Sequence, residues 1–158
     1  MKGQIQQVFI YILTIIVVGL ILLIGYKAIG GLMEKGCKVE MITFKSNLES
    51  FITKYASYGS FHEETMKAPC SFASICFVDT QDIEDGTDFP TAPEVVRQSV
   101  LDNIQENIFL VKTKVIEPAG FMSEIHVDNG IVCINNSNGN FYIAFHGLGK
   151  KTNISSGG

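Results

Sequence analysis

From Gly3 to Tyr26 the chain carries no charged residue, and within that stretch Val8 to Tyr26 is rich in Ile, Leu and Val. At about 1.5 Å of rise per residue such a run makes a helix of roughly 28 Å, which matches a bilayer hydrocarbon core of about 30 Å. The core helix of a small soluble domain is apolar on one stripe. This segment is apolar on every face, so the pattern predicts a transmembrane helix over 8–26. Thr14 is its only plainly polar side chain, and a threonine hydroxyl in a helix bonds back to a carbonyl one turn earlier. The segment therefore needs no partner to sit in lipid. Tyr11 lies near one end and Tyr26 with Lys27 at the other, where rings and snorkelling ammonium groups suit the interface.

Beyond the run the periodicity changes. The stretch 27–39 contains Gly30-Gly31 and Gly36, which weaken helix propensity and make it the expected hinge. From Glu40 to Tyr58, Met41, Phe44, Leu48, Phe51, Ile52 and Tyr55 recur at steps of three and four, the spacing of one helix face. Lys45, Asn47, Glu49 and Lys54 fall away from it. "SFHEETMKAPC" and "SFASICFVDT" read as strands, the second with an apolar centre that implies burial. "QDIEDGTDFPTAPE" reads as a solvated loop broken by Gly86, Pro90 and Pro93. A short helix follows in "APEVVRQSVLDNIQEN", with Val95, Val96, Val100, Leu101 and Ile104 expected in the core. The remainder, "NIFLVKTKVIE", "FMSEIHVDNG", "GIVCINN" and "NFYIAFHG", has strand character. Asp128-Asn129-Gly130 and Asn136-Ser137-Asn138-Gly139 mark turns between these runs.

The resulting fold class is α+β: a transmembrane helix, then a small head in which an amphipathic helix packs on an antiparallel β-sheet. The expected organisation is a flank or short leader at 1–7, the span at 8–26, the juxtamembrane hinge at 27–39, the head at 40–154 and a flexible tail at 155–158. The closing "NISSGG" offers little to bury.

Charge and motifs narrow the function classes. A net charge of -4 with scattered lysines gives no basic stripe, so no nucleic-acid partner is expected. The four cysteines, Cys37, Cys70, Cys76 and Cys133, suit two disulfides in an oxidising compartment. Their number allows three pairings. Cys76 and Cys133 each lie in a strand-like run and so can meet between neighbouring strands, which leaves Cys37 for Cys70. Asn135-Asn136-Ser137 and Asn153-Ile154-Ser155 are N-glycosylation sequons. Lys27, Lys35 and Lys38 after the span argue by charge for a cytoplasmic C-terminal side, but long domains translocate largely regardless of charge. Cysteines and sequons together favour a head outside.

No chemistry-bearing arrangement stands out. The chain lacks a Gly-rich phosphate loop, a Gly-x-Ser-x-Gly elbow and a His-Glu-x-x-His pair. No Cys-x-x-Cys pair exists, and His62, His126 and His146 are scattered, so no metal site or cofactor is expected. Asp79, Asp82, Glu84, Asp85 and Asp88 crowd one loop without the alternate spacing of an EF-hand. His62-Glu63-Glu64 can be drawn as an acid/base group only if His126 or His146 joins it. A non-enzymatic protein is the expectation.

The residues Lys2-Gly3-Gln4 directly ahead of the apolar run are where the chain resembles archaeal type IV pilins and related class III signal-peptide proteins. In that family a short basic leader ends in Gly or Ala and the mature chain often starts with Gln. The resemblance implies cleavage between Gly3 and Gln4, retention of the apolar helix as membrane anchor, and its later use as the packed core of a filament. Membrane lipid and copies of the chain itself are then the implied partners. The likeness covers about the first thirty residues, and Val8 stands where many members carry Glu. Two other fates of the segment are consistent with the residues. One is a bitopic anchor that never leaves the bilayer, its head binding a partner. The other is a secretory signal cut near Ala28-Ile29-Gly30.

Overall fold

The computed structural model describes residues 2–79, 81–82, 88–90, 92–102, 105–113 and 115–158, and the side chains of 2–6 and 30–34 lie outside the described set. The chain divides into two compact units, Met1–Val39 and Glu40–Gly158. Helix α1 runs Lys2–Lys54. The glycines of the expected hinge do not end it, and 27–39 is α-helical.

Among the described residues eight strands follow α1: β1 (Phe61–Lys67), β2 (Ser74–Val78), β3 (Ile108–Lys112), β4 (Val115–Gly120), β5 (Ile125–His126), β6 (Ile131–Asn135), β7 (Asn140–Gly147) and β8 (Thr152–Ser156), with helix α2 (Glu94–Leu101) between β2 and β3. They form two four-stranded sheets, ordered β1-β7-β8-β5 and β4-β3-β2-β6. The class is therefore α+β with an antiparallel-rich head, but the single sheet of the sequence reading is replaced by two. One pair, β5 with β8, is parallel.

The two sheets explain where turn chemistry misled. The sequence places both turns between apolar runs of a single antiparallel sheet. Asp128-Asn129-Gly130 does turn, with Gly130 at φ 76° and its N–H donating to Val127 O at 2.8 Å. The strands it joins, β5 and β6, belong to different sheets. Asn138 and Gly139 both take positive φ, 52° and 82°, as a type I′ turn requires. Here too the turn leads from one sheet (β6) to the other (β7). The run "NIFLVKTKVIE" folds back at Thr113 into the β3–β4 pair, and Pro118 sits in edge strand β4, where a missing N–H is tolerated.

Packing follows the two periods. From α1, Met41, Phe44, Leu48, Ile52 and Tyr55 enter the main core with Phe51 at its margin, and they meet Phe141, Ile143 and Phe145 of β7 and Ile75 and Phe77 of β2. Strands β2 and β3 are buried on both faces. Ile75, Phe77, Ile108 and Leu110 point to the main core. Cys76, Val78, Phe109 and Val111 point to a second cluster that α2 covers with Val96 and Val100. In α2 the buried positions are Val96, Ser99 and Val100. Leu101, expected in the core, is 46% exposed, because the next residue is rotated about 100° off that face. Ile104 lies outside the described residues.

The C-terminal segment needs the largest correction. Of the tail expected at 155–158, Ser155 and Ser156 instead complete β8, which pairs with β7 as far as Ser156. Thr152 and Ile154 are buried, and Gly157 N–H donates to Tyr142 O at 2.9 Å. Apolar content in this segment is low, but β8 fills the slot between β7 and β5 with backbone pairing. It also closes the end of α1. A helix leaves its last carbonyls without intrahelical donors. Thr152 Oγ1 donates to Ile52 O at 2.7 Å; just past the helix, Ser60 Oγ donates to Tyr55 O at 2.6 Å and Gly149 N–H to Ala56 O at 2.7 Å. Gly147 must be glycine here, since a Cβ would run into the carbonyl oxygens of Ser57 and Tyr55. Thr152→Val keeps the shape and removes the donor. It is expected to cost about 1 kcal/mol, read as a lower urea midpoint with unchanged slope.

Candidate functional site

Two features stand out, an apolar surface on α1 and a charged cleft on the head. Gln7–Ile29 is long and apolar enough to cross a membrane, and none of its apolar window is buried. Ile15 is 72% exposed and Leu22 68%. Thr14, inside the apolar run, is satisfied as expected, its Oγ1 donating to Ile10 O at 2.8 Å. Nothing lies within 4 Å of where a Cβ would stand at Gly19 or Gly25. Close helix approach in membranes uses such small residues. Gly3 and Gln4 fall within α1.

The four cysteines are all disulfide-bonded. Cys76 and Cys133 face each other across the β2–β6 ladder, joined with a Cα–Cα separation of 4.0 Å. Cys37 and Cys70 are each in a disulfide too. Disulfides of this kind persist in oxidising, extracytoplasmic surroundings. Beside Cys70 the chain is held by Glu40, whose carboxylate accepts from Lys67 Nζ at 2.8 Å and from Cys70 N–H at 3.0 Å. The Lys67 hydrogen bond, then the Cys70 N–H, hold the Glu40 carboxyl below the usual range.

The cleft is lined by Asp79, Gln81, Asp82, Phe89, His126, Asp128 and neighbours. Asp79, read from sequence as part of a solvated acidic loop, is instead buried. Its Oδ1 accepts from Gln81 N–H at 3.0 Å. Its Oδ2 accepts from Val127 N–H at 3.1 Å and meets His126 Nδ1 at 2.6 Å. His126 Nε2 lies 3.7 Å from Asp128 Oδ1. Burial works against the Asp79 ion, yet the two N–H donors, His126 and the field of Lys151 outweigh it and leave its carboxyl below the ordinary value. Oδ2 of Asp79 thus fastens β5 and the following turn to the end of β2, while Oδ1 holds the start of its own loop at Gln81. Among the described residues no group of three or more His, Cys, Asp or Glu is placed to hold a metal ion.

The acid/base grouping drawn from sequence is not assembled. His62 stacks on the Tyr55 ring, centroids 4.1 Å apart, and Glu64 Oε1 accepts from Tyr55 Oη at 2.5 Å. His146 packs edge-on to Phe61. His126 sits on β5, at the opposite edge of the sheet from β1. Asp88 lies 3.8 Å from Arg97, while Glu84 and Asp85 lie outside the described residues. No protein-family model, curated protein or solved structure matches the chain.

Proposed function

We propose that the chain is a non-enzymatic, pilin-like cell-surface subunit, its apolar N-terminal helix serving as membrane anchor and then as assembly core, with the β-rich head outside. The observation that carries this reading is the fully exposed apolar surface of Gln7–Ile29. Left in water, a surface of that extent drives association, with lipid or with another such surface. Membrane lipid and copies of the chain are the two partners whose chemistry fits. The disulfides favour an exterior head.

The test is mass spectrometry of intact protein and N-terminal peptides, from the native membrane and from material sheared off the cell surface, with and without reduction. A mature chain starting at Gln4 and enriched in the sheared fraction is the expected result. Reduction should add the mass of two hydrogens for each disulfide. A chain retaining Met1 and confined to the membrane would favour the bitopic reading, in which the helix never leaves the bilayer. A start near Gly31 would make the segment a discarded signal.

A further inference from the structure

We infer that Asn135 is the position at which the head carries an N-linked glycan, and that the second sequon, at Asn153, stays unmodified. The two share a sequence pattern but differ in surroundings. Asn135 is the last residue of β6, an edge strand of its sheet. Successive side chains of a strand point to opposite faces. Asn136 turns inward, with Nδ2 donating to Phe72 O at 2.9 Å and Oδ1 accepting from Gly139 N–H at 2.8 Å. That leaves Asn135 on the opposite face, the one that carries Cys133, where it is exposed. Ser137, the hydroxyl residue of the sequon, is exposed in the adjoining tight turn.

Asn153 lies in β8, which has β7 on one side and β5 on the other, in register with His146 and His126. Its Nδ2 donates to Asp128 Oδ2 at 2.9 Å, and its Oδ1 is buried. The middle residue, Ile154, is in the core. A sugar on Nδ2 would displace the Asp128 carboxylate from this hydrogen bond.

The chemistry is group transfer from a lipid-linked sugar phosphate. The Asn135 amide nitrogen forms a bond to the sugar C1 and gives up a proton to a base of the transferase. The C1–O bond to the lipid phosphate breaks, and the phosphate leaves with the electron pair.

The assignment rests on the head being outside, so the experiment reads location separately. The full chain, extended past Gly158 by a flexible linker with a reporter sequon, is expressed in a secretory host that glycosylates Asn-x-Ser/Thr. Glycosidase release in heavy-oxygen water, followed by peptide mass spectrometry, gives occupancy at each site. In disulfide-bonded, folded protein Asn135 and the reporter are expected to be occupied and Asn153 empty. Asn135→Gln and, independently, Ser137→Ala should each lose one glycan, whereas Asn153→Gln should lose none. A glycan on Asn153 in the folded fraction, or an empty Asn135 beside an occupied reporter, overturns the assignment while leaving the exterior head intact. An empty reporter puts the head in the cytoplasm and sinks both.

Discussion

Replacing Cys76 and Cys133 together by alanine is expected to destabilise the head by about 4 kcal/mol, because a cross-link closing a loop of this length removes that much chain entropy from the unfolded state. The sequence separation is 57 residues. In melting temperature this corresponds to a fall of roughly 10–20 °C for a domain of this size. The effect should fall first on β6, which pairs with β2 on one side only, while β2 is fixed by β3 and by two clusters of core side chains. Cys76 is itself fully buried against Val78 and Phe109, so the lost sulfur also leaves a small void. Urea unfolding of wild type and variant, both without reductant, measures the difference. Equal midpoints would mean that the β2–β6 pairing holds without the covalent tie.

The two halves of α1 were legible because each has a single burial regime along its length. Residues 8–26 are apolar all round, and 40–55 carry a stripe at helical spacing that enters the core residue for residue. Strands β2, β3, β6 and β7 were legible as apolar runs for the same reason. β8 was not, because its support is backbone pairing to β7 and β5 and two buried side chains. Such partners are distant in sequence and leave no local hydrophobic signature. Two turn signals were read correctly as turns and incorrectly as links within one meander, since turn residues fix local φ and ψ but say nothing of which strand lies alongside.

The functional surface divides in the same way. The apolar span and the back-bonded Thr14 could be read directly from side-chain type. The pairing of Asp79 with His126, 47 positions apart, could not. Asp79 looked like the first member of an acidic loop, and only its position at the end of a strand buried on both faces hinted that it would be buried too. His126 is one of three scattered histidines, and scattering in sequence conceals that β5 lies against the end of β2 and brings it to Asp79.

That contact yields the second large expected effect. Asp79→Asn should destabilise the head by about 2–3 kcal/mol at neutral pH, since an amide cannot accept from Gln81, Val127 and His126 together and at least one donor loses its partner. The figure stays below the roughly 3–5 kcal/mol of breaking a fully buried ion pair because His126 is 37% exposed and water screens its share. The dependence on pH separates charge from packing. The Asp79 carboxyl is held below its ordinary value in the fold. Its stabilisation is therefore fully present above the unfolded carboxylate pKa, about 3.9, and is lost as pH falls through the lower folded value. Glu40, shifted in the same direction, adds to the acid sensitivity of the wild type but is common to both proteins. Urea midpoints of wild type and Asp79→Asn should thus differ most near pH 7 and converge as the pH drops below about 4. A gap that persists unchanged into acid would show that Asp79 acts by filling space. Convergence would show that it fastens β5 to β2 as an ion.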